Sequence, residues 1–309
     1  MRCYQAEPDP FPAPPPATTS VFAAASTDTG LERSENQDRA VIGDAATEQA
    51  WEPPAAVGVL AGAAGSFFAA VCDGMGGEAG GALASALGVE TIVGAMRARW
   101  VQRSAEPGGS IARSETQVAT ALVASLEAAA ARIKYAAHAE PIYARMGTTA
   151  TLAAIAHGAL LCAQIGDSRA YLLRSGRLHQ LTEDQTMREH LRKSGALSEE
   201  QIHALVGPNV ILQALGSSTK LEVALTRTPL AQDDIVLLCS DGLHGVVDDA
   251  TIAETLLSTP DLAQACDALV ARANAAGGPD NISCVVFRVI DDTLPPATSP
   301  PLTTALSPG

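Results

Sequence analysis

The sequence is poor in aromatic and in basic residues, and both shortages exclude classes of protein. Phe, Trp and Tyr make up 4% of 309 residues, so Ala, Val and Leu must fill most of a core. A hydrophobic content of 47% rules out wholesale disorder. Lys and Arg number 20 against 34 Asp and Glu, which gives a net charge of −14. A chain this acidic is a poor nucleic-acid binder, whereas converging carboxylates could bind a divalent cation.

The six cysteines include no Cys-x-x-Cys pair, so a zinc site is not expected. Four of them lie inside apolar runs and are predicted to be buried, reduced thiols, which favours a cytoplasmic protein over a disulfide-built secreted one. The first 20 residues contain six prolines and no apolar core, unlike a signal peptide.

One uncharged stretch, Pro53–Cys72, has 20 residues and therefore the length of a membrane span. Ala, Gly and Val dominate it, which makes insertion unfavourable. Its small, Gly-rich part from Ala55 to Gly65 suggests a hairpin loop, and the part from Ser66 to Cys72 suggests a buried strand. We expect no membrane association.

Composition divides the chain into a body and two tails. Residues 1–20 are Pro-rich and residues 291–309 combine Pro with Thr and Ser, so both are predicted to be disordered, with docking peptides as the alternative. The body, 21–290, has no such linker inside it and is predicted to be one domain. Its strands and helices occur in segregated runs, which indicates α+β layers rather than a doubly wound sheet.

Periodicity and turn signals predict the elements of this body. The predicted strands are 21–26, 67–72, 149–156, 160–165, 170–173, 222–226, 235–239 and 282–289. The predicted helices are 78–101, 116–138, 185–193, 198–205, 249–257 and 261–275. Asp261 is expected to cap the last helix.

Four aspartates lie at the ends of predicted apolar strands: Asp73, Asp167, Asp241 and Asp280. Neighbouring antiparallel strands share an edge where one ends and the next begins, so these carboxylates could meet at one rim. Such a cluster is costly without a cation, and oxygen ligands select Mg²⁺ or Mn²⁺. Two such ions activate water for displacement at phosphorus. A single Asp-Gly after a strand is usually only a turn, but four such acids favour a site.

A dinucleotide site is a weaker interpretation of the same region. Gly74, Gly76 and Ala79 fit the Gly-x-Gly-x-x-Gly/Ala pattern after a strand. Asp73 would oppose a pyrophosphate, and no acid ends a second strand about 20 residues later. We therefore expect no dinucleotide.

Short motifs follow one another through the body: GLERSENQD at 30–38, VCDGMGG at 71–77, MGTTA at 146–150, IGDSRAY at 165–171, LTED at 181–184, CSDGL at 239–243 and GPDNIS at 278–283. In this order they resemble the bacterial metal-dependent serine/threonine protein phosphatases of the PPM type, also called protein phosphatase type 2C. The resemblance spans nearly the whole body. It implies a four-layer αββα sandwich of two antiparallel sheets flanked by helices, with a flap subdomain at about 186–218.

The resemblance also implies a site with two Mn²⁺ or Mg²⁺ ions, and it allows a third. The implied metal ligands are Asp73, the Gly74 carbonyl, Asp241, Asp280 and, for the third ion, Asp167. Arg33 would bind the substrate phosphate with its planar fork. Asp38 would hold metal-bound water, with Gln37 and Thr148 supporting the ligands.

Three positions depart from the family pattern. Gln37 replaces a Glu found in many relatives, which could weaken one ion. Met75 stands where animal relatives carry a His thought to act as general acid, and Gly245 replaces a frequent Asp. His244 could supply that acid, although a lone His is more often structural.

The resemblance implies a phosphatase that hydrolyses phosphoserine and phosphothreonine in proteins by direct attack of a metal-bridging hydroxide, opposing bacterial Ser/Thr kinases. Its expected partners are those kinases and their substrates, with no nucleic acid or membrane, and we expect a monomer. Two alternatives stay open. Gln37 and Gly245 would suit an interaction protein that binds a phosphorylated partner, and a nuclease or phosphodiesterase would use similar metals, although the acidic charge opposes nucleic acid.

Overall fold

Apolar runs form two stacked antiparallel sheets in the computed structural model, which describes residues 19–61, 65–104, 114–207, 210–217 and 220–306. The strands of the first sheet, in spatial order, are β10 (Arg177–Gln180), β9 (Arg169–Arg174), β12 (Ile235–Cys239), β13 (Ile282–Ile290), β1 (Ser20–Asp28) and β4 (Ala55–Ala61). Those of the second are β14 (Thr304–Leu306), β11 (Ala224–Pro229), β8 (Ala159–Ile165), β7 (Ala150–Ala156), β5 (Phe67–Met75), β2 (Asp38–Asp44) and β3 (Gln49–Trp51), with β6 (Gly147–Thr148) beside β5.

Helices flank both sheets. The α-helices of the described residues are α1 (Glu78–Ser104), α2 (Glu115–Ala139), α3 (Met187–Ser194), α4 (Glu199–Leu205), α5 (Asp241–His244), α6 (Asp249–Ser258) and α7 (Leu262–Ala275), of which α3 and α4 lie in the segment predicted to be a flap. Side-chain caps begin several of them, because the first N–H groups of a helix have no partner inside it. The predicted cap at Asp261 is present: its Oδ1 accepts from the Gln264 N–H at 2.9 Å.

Three apolar cores separate four layers. One core joins α1 and α2 to the second sheet, one lies between the sheets, and one joins the first sheet to α6 and α7. The Phe67 and Phe287 rings meet between the sheets with centroids 4.9 Å apart. Burying an aromatic side chain contributes about 1.5–3 kcal/mol, so these rings help to fix the stacking. The predicted α+β sandwich is confirmed.

The predicted strands all correspond to strands of the structure, but five strands of the described residues were not foreseen: β2, β3, β4, β6 and β14. The part from Ala55 to Gly65 was predicted as a hairpin loop, whereas Ala55–Ala61 forms β4 and pairs with β1. Small residues are adequate there because β4 is an edge strand and its pairing rests on backbone hydrogen bonds. A second unforeseen strand, β2, begins at Asp38 and pairs with β5.

The C-terminal segment corrects the predicted disorder of residues 291–309 over its described part, 291–306. Leu294 is only 6% exposed and joins the core between the sheets. The Pro295 carbonyl accepts from the Gln232 N–H at 2.9 Å, and β14 pairs with β11. A Pro- and Thr-rich segment can dock through carbonyls and a single apolar anchor, which composition does not reveal. The predicted N-terminal tail, up to residue 18, lies outside the described residues.

No helix in the described ranges is both long and apolar enough to cross a membrane. The uncharged stretch forms β4 and β5 instead, and residues 62–64 lie outside the description. The described cysteines are buried and form no disulfide: Cys72, Cys162, Cys239, Cys266 and Cys284.

Candidate metal centre

The strand-tip aspartates open onto one cavity of about 560 Å³. Asp73 lies near the end of β5, Asp241 follows β12, and Asp280 precedes β13. Asp167 follows β8 by two residues. Because the sheets are stacked and antiparallel, these ends reach the same rim of the sandwich. The cavity lining includes the predicted residues Arg33, Gln37, Asp73, Gly74, Asp167, Asp241 and Asp280.

Asp38 stands behind this cavity, opposite Asp73 in the pairing of β2 with β5. It is 1% exposed, and its Oδ2 accepts from the Ser240 hydroxyl at 2.6 Å. Its Oδ1 is buried and has no hydrogen-bond partner among the described residues. A buried carboxylate oxygen left in this state is costly, and a water molecule or a cation at the cavity would satisfy it.

Two threonines hold the backbone of Asp73 in place. The Thr148 hydroxyl donates to the Asp73 carbonyl at 2.8 Å, and the Asp73 N–H donates to the Thr149 hydroxyl at 3.0 Å. The Thr149 hydroxyl is also 2.7 Å from that of Ser168, beside Asp167. The two threonines therefore fix the backbone of Asp73 through uncharged hydroxyl groups.

The backbone around Gly74 leaves no room for a side chain at this position. A Cβ at this position would lie 2.1 Å from the Gly81 carbonyl oxygen and 2.7 Å from that of Gln37. The Gln37 side chain extends past it, and its Nε2 donates to the Gly77 carbonyl at 3.1 Å. Gln37 thus braces the chain between Gly74 and α1.

Burial and mutual repulsion raise the pKa values of the clustered acids. Burial is the larger cause at each, and neighbouring carboxylates add to it. The pKa of Asp73 lies well above its usual range, with Asp38 as the main neighbour, and that of Asp241 is raised by Asp280. The pKa of Asp167 rises to about 7, with Asp241 as its main neighbour. Such acids take up protons unless a cation balances them.

The donor set has the chemistry for hard divalent cations. In the described ranges, no group of three or more His, Cys, Asp or Glu side chains already stands in a metal-binding arrangement. Among the residues that the structure describes, Arg33 is the single basic residue that lines the cavity. The site fits Mn²⁺ or Mg²⁺ because its donors are oxygen atoms and its net charge is negative. The Asp38 Oδ1 atom, which lacks a hydrogen-bond partner among the described residues, fits the same ions.

Arg33 reaches the centre from an exposed loop. Its guanidinium donates to Asp280 Oδ2 at 2.7 Å, while 53% of its side chain stays exposed. The hydrogen bond to Asp280 is the main cause of a further rise in the Arg33 pKa, so this residue keeps its charge. A half-exposed guanidinium beside a cluster of acids can bind an incoming phosphate.

Asn281 is a site residue to which the sequence assigned no role. Its Oδ1 accepts from the Gln37 N–H at 2.8 Å, and its Nδ2 donates to the carbonyls of Thr29 and Glu35 at 2.8 and 2.9 Å. One side chain therefore fixes both ends of the loop that carries Arg33. The motif GPDNIS contained the signal, because an Asn beside a strand-tip Asp is suited to bind backbone groups.

His244 has the environment of a structural histidine. Its Nε2 lies 3.1 Å from the Asp167 carbonyl oxygen, which can only accept, so this nitrogen carries the hydrogen. Burial lowers its pKa to about 4, with Arg169 as a further cause. The imidazole is thus neutral at neutral pH and positions the Asp167 backbone, which favours the structural interpretation over the general acid.

The segment 186–218, predicted to be a flap, is joined at both ends to loops of the centre. Gln185 exchanges bonds with Gly166: its N–H donates to the Gly166 carbonyl at 3.0 Å, and its Oε1 accepts from the Gly166 N–H at 2.9 Å. Leu215 and Thr148 exchange backbone hydrogen bonds of 2.8 and 3.1 Å. Displacement of this segment would therefore act on the loops of Asp167 and Asp73.

Comparison with known proteins gives a consistent set of similarities. The family model described as Protein phosphatase 2C matches residues 56–286. Serine/threonine protein phosphatase PstP of Mycobacterium tuberculosis is 36% identical over 228 residues, which are 74% of this chain and only 41% of that protein. Serine/threonine phosphatase stp of Listeria innocua is 33% identical over 71% of this chain and 82% of its own. A structure of the PstP catalytic domain in complex with two manganese ions has a TM-score of 0.66 at 33% identity, covering 88% of this chain and all of that one.

Proposed function

This chain belongs to the protein phosphatase 2C family, and from that premise we propose that it hydrolyses phosphoserine and phosphothreonine in proteins. The single observation that carries the proposal is the cavity in which raised-pKa aspartates face one guanidinium. Carboxylates in this state are suited to bind cations, and a guanidinium is suited to bind a phosphate. A phosphate monoester held there would lie between the two.

The proposal includes two Mn²⁺ or Mg²⁺ ions and allows a third. The similar PstP catalytic domain binds two manganese ions, which supports this number. The residues that would hold the ions are Asp73, the Gly74 carbonyl, Asp241, Asp280 and, for a third ion, Asp167. When bound, such ions supply Lewis acidity and lower the pKa of water, so no cysteine nucleophile is needed.

The chain's own residues would orient the reactants. Arg33 would place its fork on the phosphoryl oxygens and offset their charge as displacement proceeds. Asp38 would accept a hydrogen bond from the attacking water through its partnerless Oδ1, while Ser240 holds its Oδ2. Thr148 would hold the backbone of Asp73 in position, and Gln37 would hold that of Gly74.

The setting of the reaction is part of the proposal. We place one catalytic domain at 21–290 with a flap at 186–218, acting in the cytoplasm as a monomer. Its partners would be phosphorylated proteins, namely Ser/Thr kinases and their substrates, and neither nucleic acid nor membrane. The net charge of −14 and the buried, unpaired cysteines support this setting.

The test is hydrolysis of p-nitrophenyl phosphate with Mn²⁺, with Mg²⁺ and with excess chelator. We expect turnover that needs metal and is lost in Asp241→Asn, while Asp233→Asn, an exposed aspartate away from the cavity, keeps the wild-type rate. Metal-independent turnover, or full activity in Asp241→Asn, would contradict the proposal.

Two further outcomes would select the alternatives. No turnover by a folded protein at millimolar Mn²⁺ would favour the phosphoprotein-binding interpretation, and Gln37→Glu would then test whether a missing ligand explains it. Turnover of bis-p-nitrophenyl phosphate in place of the monoester would indicate a phosphodiesterase.

A further inference from the structure

Within the described part of the chain, six carboxylates and one guanidinium line the candidate cavity, and two of the carboxylates lie outside the proposed metal ligands. These two are Glu32 and Glu35, which lie on either side of Arg33 in the loop between Gly30 and Gln37. Two divalent cations would balance the four aspartates. The glutamates and Arg33 would then leave the rim of the cavity with a net negative charge.

The loop that carries the two glutamates has a fixed backbone. The N–H groups of Leu31 and Glu32 donate to the Gly278 carbonyl at 2.8 and 3.3 Å. The Glu35 carbonyl accepts from Asn281 Nδ2 at 2.9 Å. A side chain on a pinned backbone loses less freedom on binding than one on a mobile loop, so these positions suit recognition.

Both glutamates have free carboxylates. Each side chain is exposed, and neither carboxylate has a hydrogen-bond or ion-pair partner among the residues that the structure describes. Arg33, which lies between them, is directed toward Asp280 at 2.7 Å. The negative charge of Glu32 and Glu35 is therefore not cancelled by their basic neighbour, and it lies at the exposed lining of the cavity.

We propose that Glu32 and Glu35 select phosphoproteins that carry Lys or Arg within about three residues of the phosphorylated Ser or Thr. This inference rests on the proposed function and names its substrate class. Consecutive Cα atoms are about 3.8 Å apart, so both glutamates lie within about 8 Å of Arg33 along the loop. In an extended peptide, the residues on either side of the phosphorylated Ser or Thr lie within a similar distance of it. When the phosphate is bound at Arg33, these flanking residues would therefore reach Glu32 and Glu35. Basic side chains there would pair with the glutamates, whereas acidic ones would be repelled.

The test compares two phosphothreonine peptides that differ only in their flanking residues, Arg-rich or Glu-rich. We expect the wild type to prefer the Arg-rich peptide in kcat/KM by about 10-fold or more at low salt. Glu32→Gln/Glu35→Gln should reduce this preference by about 3- to 10-fold, in line with the strength of exposed ion pairs. The preference should also shrink at high ionic strength, because exposed charges are screened.

The matched control is Glu127→Gln/Glu254→Gln, which removes the same charge from exposed positions on α2 and α6. It should keep the wild-type preference, which excludes an effect of net charge. Glu32→Lys/Glu35→Lys should reverse the preference toward the Glu-rich peptide. An unchanged peptide ratio in both loop variants would overturn the inference.

Failure of the inference can be separated from failure of the proposed function. Because p-nitrophenyl phosphate has no flanking residues, its metal-dependent hydrolysis by the wild type tests the proposed function independently of Glu32 and Glu35. Binding of fluorescent phosphonate analogues of the two peptides, followed by anisotropy, gives the same ratio without turnover. If the protein is inactive but its binding ratio depends on the glutamates, the proposed phosphatase activity is wrong and the proposed peptide recognition stands. If both peptides bind equally well, the proposed recognition is wrong.

Discussion

Asp38 and Asp73 face each other as cross-strand partners at the point where β2 and β5 enter the cavity. Like charges directly opposite one another destabilise a sheet, and both carboxyl groups have raised pKa values, first because they are buried. The fold therefore keeps an unfavourable pair at the position where a cation would make it favourable. The stability of the metal centre should therefore depend on whether the proposed cation is bound.

Asp73→Asn should abolish metal-dependent turnover while the protein stays folded. Loss of a supporting residue around a metal typically costs about 10- to 100-fold, so loss of a central ligand should cost at least about 100-fold. The metal-free variant should unfold at the same temperature as the wild type or higher, because one buried acid is removed. Hydrolysis of p-nitrophenyl phosphate and thermal unfolding in chelator measure the two effects. Wild-type turnover, or a metal-free variant that no longer folds, would contradict this account.

The pH dependence of metal-free stability should reveal the raised pKa of Asp167. Burial and Asp241 raise this pKa from 3.8 to about 7. An acid that binds its proton more tightly in the folded state stabilises folding below about pH 4 and loses this contribution as the pH rises through about 7. In chelator, the wild type should therefore lose up to about 4 kcal/mol relative to Asp167→Asn between pH 4 and pH 7.5.

Urea unfolding of the wild type and of Asp167→Asn at a series of pH values measures this difference in stability. The same measurement is then repeated with Mn²⁺ in place of the chelator. A bound cation favours the ionised carboxylate, so saturating Mn²⁺ should remove or invert the pH dependence. A stability difference that does not change with pH would show that Asp167 titrates normally.

The α+β layers and the convergence of the four aspartates at one rim could be predicted from the sequence, for a physical reason. The core strands are long apolar runs, and an acid at the end of such a run can only lie at the rim. The partners of Asn281 and the strand beginning at Asp38 were not predicted, because each depends on contacts with residues distant in the sequence: Asn281 binds the Glu35 carbonyl, and β2 pairs with β5. The docking of Leu294 was missed because one apolar residue among prolines gives no periodic signal.

Gly74→Ala should disrupt the centre, and Gly94→Ala gives the matched control. A Cβ at Gly74 would lie 2.1 Å from the Gly81 carbonyl oxygen, so the backbone must move, at a cost of about 1–3 kcal/mol. A Cβ at Gly94, on the exposed face of α1, meets nothing within 4 Å. Ala there should stabilise the protein by up to about 1 kcal/mol, through helix propensity. Urea unfolding measures both, and turnover should fall only in Gly74→Ala.

Leu294→Ala tests the docking of the C-terminal segment. Leu294 is 6% exposed within the core between the sheets, whereas Leu302, in the same segment, is 71% exposed. Truncating a buried Leu costs about 2–5 kcal/mol, because transfer free energy is lost and a cavity remains. An exposed Leu changes stability by less than about 0.5 kcal/mol. Urea unfolding of Leu294→Ala and Leu302→Ala should therefore separate the two variants clearly. Equal stability would mean that residues 291–306 do not pack on the body in solution and that the disorder predicted from their composition is correct.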